Sequence, residues 1–436
     1  MKIIVDENNP YAEQAFSTLG EVTALPAGKI TREALRDSEI LACRSTIRVN
    51  ADLLEGTAVR CVATATIGTD HFDVAYLDRA GIRWYSAPGC NADSVADYFT
   101  AALLTVAQTQ GAALEGRTLG VIGCGNVGSR VACRAQALGM RVLENDPPLA
   151  RQTGQAEACT LNSSGDPRYR PLDDLFAADY ITLHTPLTHE GPDATHHLVN
   201  EAFLRRMRPD AVLINTSRGA VVDGGSLKAA LRDGRIAGAV LINTSRGAVV
   251  HGGSLKAALR DRRIAAAVLD VWEGEPSPDP ELAELAFLAT PHVAGHSFDG
   301  KIAGTMQIYR QVCEYLGREP AFDPAPLLPP PDVPKIVVDA AGRADEDLIR
   351  EVVFTVYPIR NDDARFREAM ALPGASERSA GFSALRTNYP RRREFSWTRV
   401  LVRNASERPL RKLRGLSFQA ECAGIETAGK EKPHGR

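Results

Sequence analysis

The chain holds 436 residues, too many for one hydrophobic core, so two or three domains are expected. Hydrophobic residues make up 44% and charged residues 24%, the balance of a water-soluble globular protein, and a net charge of −3 gives no sign of a nucleic-acid partner. Eight cysteines without a C-x-x-C pair or a histidine cluster disfavour a metal site and a disulfide framework, which fits a reducing cytoplasm. The N-terminus, MKIIVDENNP, turns polar after five residues and no run of about 18 apolar residues follows, so neither export nor a membrane partner is expected.

Along the chain, residues 2–5 (KIIV), 39–43 (EILAC), 60–64 (RCVAT) and 82–85 (IRWY) are short apolar runs separated by helical stretches such as Thr31–Ser38. That alternation predicts a parallel α/β domain. From Asp97 an apolar helix leads to TLGVI, GCGNVG, SRVACRAQALG and MRVLEND, which is the order strand, glycine turn, helix, strand. Further strands are predicted at Tyr180–His184, in a doubled AVLIN, and at Ala267–Val271. Between Pro320 and Pro334 the prolines are too dense for a regular element, so a linker is expected before a third module. In that module VVFTVYPIR, residues 352–360, has the β-branched and aromatic composition of a strand. From Arg391 onward 12 Lys and Arg face 5 Asp and Glu, which predicts a solvated face or a frayed tail.

Gly123, Gly125 and Gly128 stand in G-x-G-x-x-G spacing with Asn126 and Val127 between them, after a strand and before a helix. In that context the first glycine permits a tight turn, the second lets backbone amides approach a pyrophosphate, and the third lets the helix pack closely on the strand. The helix N-terminus supplies free N–H groups for the phosphates. Asp146 ends the next strand, where a carboxylate accepts from ribose hydroxyls and repels a 2′-phosphate, so NAD is favoured over NADP.

Three later segments each follow a predicted strand: the doubled Asn-Thr-Ser-Arg-Gly, Asp270 through Glu275-Pro276, and Pro291-His292 through Gly295-His296. Ligands of doubly wound sheets bind beyond the carboxyl ends of their strands. Oxidising a 2-hydroxy acid needs a base for the hydroxyl proton and a fixed cation for the carboxylate. Histidine suits the first task and arginine the second, while a glutamate on the histidine fixes its tautomer.

In the order G-x-G-x-x-G, Asp, HTPL, N-x-S-R-G, DVWEGEP, TPH the chain resembles the D-isomer-specific 2-hydroxyacid dehydrogenases. The stretches MKIIVDENNPYAEQAF, Arg44-Ser45-Thr46, ATATIGTDHFD, SAPGCNADSVADY and HVAGHSFDGK, with a proline-linked C-terminal module, resemble one branch of that family. The resemblance implies two doubly wound parallel-sheet, Rossmann-like domains plus a smaller α+β module. Residues 1–93 and 297–325 would form a substrate lid, 94–296 an NAD-binding domain, and 335–436 a dimerisation module. It further implies a small phosphorylated 2-hydroxy acid as substrate and a homodimer. By the same resemblance Ser45, Thr66 and His296 are substrate contacts, the last standing where the family commonly has tyrosine. Asp146, Thr185, Asp270 and Gly295 are NAD contacts, and Glu275 and His292 are the acid–base pair.

The family has one N-x-S-R-G unit; this chain has two. Residues 211–238 and 239–266 match at 25 of 28 positions, differing at Asp223/His251, Gly234/Arg262 and Gly238/Ala266. Either Arg218 or Arg246 is therefore the substrate arginine. Spacing from Thr185 favours Arg218, and spacing to Asp270 favours Arg246. Aspartate caps a helix better than histidine and glycine ends one better than arginine, so the first copy is expected in the site and the second on an extruded segment.

Overall fold

The computed structural model describes residues 1–153, 168–236, 238–245, 247 and 251–423. Within them lie three sheets whose pairings are all parallel. The first contains β1 (Lys2–Asp6), β2 (Glu21–Leu25), β3 (Ile40–Cys43), β4 (Cys61–Thr64) and β5 (Arg83–Tyr85), ordered β2-β1-β3-β4-β5. The second contains β6 (Thr118–Ile122), β7 (Arg141–Asn145), β8 (Tyr180–Leu183), β9 (Val212–Asn215), β10 (Val240–Asn243), β11 (Ala266–Leu269) and β12 (Leu288–Ala289). Its order is β12-β11-β10-β9-β8-β6-β7. A third sheet, β13-β14-β15, is built from Lys335–Asp339, Arg399–Arg403 and Gln419–Cys422. None of the helices among the described residues is long and apolar enough to cross a membrane.

Two long helices join the first two sheets. The helix Ala92–Gln110 ties itself to the second sheet through Ser94 Oγ, which donates to the Ala294 carbonyl at 3.1 Å, and Tyr98 Oη, 2.8 Å from Thr290 Oγ1. The helix Phe298–Tyr315 returns to the first sheet, where a Cβ on Gly304 would lie 2.7 Å from the Ala65 carbonyl oxygen. Only glycine permits that approach.

The second copy is not extruded, which corrects the expectation from the sequence. β10 pairs with β9 on one side and β11 on the other, and the copies' helices, Gly224–Arg232 and Gly252–Arg260, pack together. The duplicated unit is a complete strand and crossover helix, so the sheet gains one strand and keeps its parallel order. Extrusion would strip Val240, Leu241, Ile242, Leu255 and Ile264 of burial now at 97% or more, at about 1.5–3 kcal/mol for each side chain.

Two further expectations change in the C-terminal module, the second in part. VVFTVYPIR is no strand: most of it closes the helix Asp345–Val356, which buries Leu348, Ile349, Val352 and Val353 on one face. Acidic Asp345, Glu346 and Asp347 suit its N-terminus, so helical periodicity and dipole outweigh β-branching. Of the basic run from Arg391, Arg391, Arg399, Arg403, Arg408, Arg411 and Arg414 are exposed as expected, whereas Arg392, Arg393 and Lys412 are buried, and residues 424–436 lie outside the described residues. The module also shares a core with the second sheet: a Cβ on Gly415 would lie 2.6 Å from Ala137 Cβ, and Lys412 Nζ is 3.0 Å from Glu115.

Candidate active site

The glycine turn leaves β6 with Gly123 at φ +86°, a conformation side chains resist. A Cβ there would meet the Thr185 amide nitrogen at 2.9 Å, and one on Gly128 would meet the Gly123 carbonyl oxygen at 1.9 Å. Above Gly125, at the start of the helix Asn126–Ala137, nothing stands within 4 Å of that position. Asn126 reaches across to the first sheet's side, packed on Gly89, while Val127 turns into the core. Asp146 accepts from the Cys124 amide at 2.8 Å and the Leu149 amide at 3.0 Å, one on each oxygen, so each oxygen retains a lone pair. Thr185 Oγ1 is buried with no hydrogen-bond partner among the described residues. Open space over Gly125, free amides at the helix start and an unsatisfied buried hydroxyl fit the phosphates and sugar of a dinucleotide.

At the far end of the cleft, β11 runs into Asp270, which is fully buried. It accepts from Thr290 Oγ1 at 2.7 Å, Val293 N at 2.7 Å and Ala294 N at 3.0 Å. Those three bonds fix the turn that presents His292, which itself sits at φ +60°. Glu275 Oε1 accepts from the Trp272 amide at 2.9 Å, and Oε2 lies 2.8 Å from His292 Nδ1. Burial raises the Glu275 carboxyl, but the hydrogen bond and charge of His292 and the Trp272 amide outweigh it and hold the group below its usual range. An ionised carboxylate on Nδ1 keeps the proton there and leaves Nε2 as the acceptor. The histidine side chain is 27% exposed, enough to meet a substrate.

Both copies of the duplicated segment build the same turn. Asn215 Oδ1 accepts from Ser217 N at 3.1 Å and Ser217 Oγ at 2.8 Å, and Asn243 does the same for Ser245 at 3.3 and 2.9 Å. Their neighbours differ. Thr216 N and Oγ1 of the first copy both reach the Leu183 carbonyl of β8, and the Thr216 hydroxyl also meets His184 Nδ1. Burial drives His184 down to about 3, so it stays neutral. The second copy meets the catalytic loop instead: a Cβ on Gly247 would lie 1.8 Å from the Trp272 carbonyl carbon, and Gly252 N donates to Glu273 at 3.1 Å. Arg218 follows β9, with β10 between it and β11, and donates to the neighbouring Ser217 carbonyl at 3.1 Å. Arg246 lies outside the described residues. His251 caps its helix after all, Nδ1 accepting from Ser254 N at 3.2 Å, but Arg262 is held at φ +54° where the first copy has Gly234.

On the lid side Thr66 Oγ1 meets Thr64 Oγ1 at 2.8 Å, and Ser45 is exposed. The Gly295 carbonyl accepts from Asn91 at 3.4 Å, and a Cβ on Gly295 would strike Asn91 Nδ2 at 2.3 Å. The His296 ring meets Tyr389 edge-on at 6.0 Å. Burial, with the charges of Lys301, Arg386 and Arg44, holds this imidazole well below its usual range, hence neutral. The structure thus gathers Asp270, Glu275, His292, Gly295 and His296 at one end and Gly123, Gly125, Gly128, Asp146 and Thr185 at the other. β9 and β10 lie between, each adding about 4.8 Å. Arg392, which the sequence does not single out, donates to the His296 carbonyl at 2.9 Å, the Ala294 carbonyl at 3.1 Å and Ser94 Oγ at 2.6 Å. Its one signal, the run Arg391-Arg392-Arg393-Glu394, looks like surface charge.

The family model described as D-isomer specific 2-hydroxyacid dehydrogenase, NAD binding domain, matches residues 100–241 and again 237–294, one copy of the duplication in each match. A domain of unknown function, DUF3410, matches residues 327–414. The erythronate-4-phosphate dehydrogenase of Cronobacter sakazakii is 41% identical over 96% of this chain and 98% of that protein. That of Salinibacter ruber is 43% identical over 91% and 92%. Among solved structures, NAD+-bound 3-phosphoglycerate dehydrogenase of Entamoeba histolytica shares the fold, with a TM-score of 0.53 at 20% identity over 73% of this chain and 95% of that one. With such identities over nearly the whole length, the chain belongs to the erythronate-4-phosphate dehydrogenases, within the D-isomer-specific 2-hydroxyacid dehydrogenase family.

Proposed function

We propose that this chain oxidises 4-phospho-D-erythronate at its 2-hydroxyl to 3-hydroxy-2-oxo-4-phosphooxybutanoate, a step of pyridoxine 5′-phosphate biosynthesis. The observation that carries the reading is the 2.8 Å pair of His292 and Glu275. NAD, when bound, supplies the hydride acceptor. His292 Nε2 takes the hydroxyl proton as the carbon–hydrogen bond breaks, and the Glu275 carboxylate steadies the imidazolium that results. Arg246, on the copy lying against the catalytic loop, holds the substrate carboxylate, and Ser45, Thr66 and His296 border the substrate. Asp146 and Thr185 meet the adenosine side of NAD, with Asp270 and Gly295 at its nicotinamide side. A cytoplasmic location suits the free cysteines among the described residues. The subunits pair through the C-terminal sheet, whose outward face shows Val337, 48% exposed, in register with Leu401.

One observation supports a second reading. β10 adds a strand between Thr185 and Asp270, which would leave an NAD-binding chain of impaired turnover. NADH production from 4-phosphoerythronate, 3-phosphoglycerate and glyoxylate-type acids, in this chain and in a form lacking residues 239–266, tests both. Turnover of 4-phosphoerythronate above the others by the full chain supports the first reading; turnover by the shortened form alone supports the second.

A further inference from the structure

We propose that Arg44, Lys301 and Arg386 together form the seat of the substrate's phosphate, so that the C-terminal module completes the active site rather than only pairing subunits. The assignment rests on the phosphorylated substrate proposed above.

Each cation comes from a different part of the chain. Arg44 follows β3 on the lid, and the one hydrogen bond of its side chain among the described residues is a 3.5 Å contact to Asn9 Oδ1. Lys301 lies one turn before Gly304 on the helix Phe298–Tyr315, the same face that meets Ala65 and Cys90 beside Thr66. Arg386 lies on the C-terminal helix Ala375–Thr387, and its Nε is buried with no hydrogen-bond partner among the described residues. A stack of rings locates that helix over the catalytic loop: Arg386 Cζ is 5.8 Å from the Phe382 centroid, Phe382 is 6.2 Å from Phe366, and Phe366 is 4.8 Å from Trp272. The Trp272 amide in turn holds Glu275. Three residues past Arg386, Tyr389 touches the His296 ring.

After burial, the charges of Arg44 and Arg386 both act on Lys301 and depress it, and all three act on one ring, that of His296. Asp6 acts on Arg44 and Glu275 faces Arg386, but Glu275 is already held by His292 and Trp272. A buried donor without a partner is costly, and like charges gathered in low dielectric repel. A phosphate dianion supplies both the acceptors and the opposite charge, beside the histidine pair that works on the other end of the same small molecule.

The test compares the parent with Arg386→Ala and Arg386→Lys on 4-phosphoerythronate and on unphosphorylated erythronate, and follows melting temperature against added inorganic phosphate. The seat requires KM for the phosphorylated acid to rise about 10- to 100-fold in Arg386→Ala, a clearly larger loss than the same variant shows on erythronate, with partial recovery in the lysine variant. Phosphate should raise the melting temperature of the parent and far less that of Arg386→Ala. If the parent oxidises 4-phosphoerythronate and the alanine variant keeps its KM, the seat is wrong and the function stands. If the parent lacks that activity yet phosphate stabilises it and not the variant, the seat stands and the substrate assignment fails. Equal stabilisation of both proteins by phosphate overturns the seat. Should Arg386→Ala not fold, Lys301→Ala carries the same comparison.

Discussion

Leu241 stands in register against Leu213, its own duplicate, in a parallel pair inside the seven-stranded sheet. The sheet has taken up a repeated strand and helix as one more unit, and the two copies have thereby acquired different neighbours: β8 for the first, the loop after β11 for the second.

That difference underlies the role proposed for Arg246. Arg246→Ala is expected to lower kcat/KM by about 10- to 100-fold, the worth of a charge-assisted contact to a carboxylate, and Arg218→Ala by much less. Steady-state rates of the two variants side by side check this. A larger loss in Arg218→Ala would return the role to the first copy.

Arg262 occupies a left-handed position at φ +54° that Gly234 fills in the first copy at φ +68°. Arg262→Gly is expected to stabilise the fold by about 1 kcal/mol, and Gly234→Arg to destabilise it by a similar amount, in urea unfolding. Unchanged midpoints in both variants would show that the backbone relaxes without strain.

Glu394 is half-buried, and its desolvation with the nearby charges of Asp97, Asp299 and Asp93 lifts its carboxyl from 4.5 to about 8. A raised carboxyl keeps its proton in the folded chain while the unfolded chain has lost it, so this group lowers stability as pH climbs from 4.5 to about 8. Glu394→Gln keeps an acceptor for Ser297 Oγ and should flatten that decline, leaving the variant more stable than the parent at pH 8. Melting curves across that range would contradict the assignment if both proteins fell in parallel.

Removing residues 335–436 would strip the core shared with the second sheet, so pairing is better tested by one side chain. Val337→Asp, on the open face of the C-terminal sheet, is expected to yield monomers by light scattering with the fold intact by circular dichroism. A dimer that survives the change would place the interface elsewhere.

Much of the fold was legible because parallel strands buried on both faces are nearly continuous apolar runs: KIIV, ILAC, TLGVI and VLIN all became strands. β2, EVTAL, was overlooked because it lies at a sheet edge, only half buried, and its sequence alternates weakly. The glycine turn was legible because each glycine answers a local steric demand. The cap argument at the duplication weighed terms near 1 kcal/mol, whereas the burial of a whole strand and helix weighs several times more. Arg386 and Arg392 were hidden for a different reason. Sequence spacing says nothing of a helix that folds back from the third module onto the catalytic loop, and buried arginines look like surface charge until their partners are seen.

The pair of His292 and Glu275 is the centre of the account, and its most direct test is the rate of NADH formation from 4-phosphoerythronate by His292→Gln, with NAD affinity measured on the same protein. The account expects turnover to fall by about 10²–10⁴-fold while NAD binds nearly as in the parent. A variant that binds NAD and still oxidises the substrate at the parent rate would contradict it.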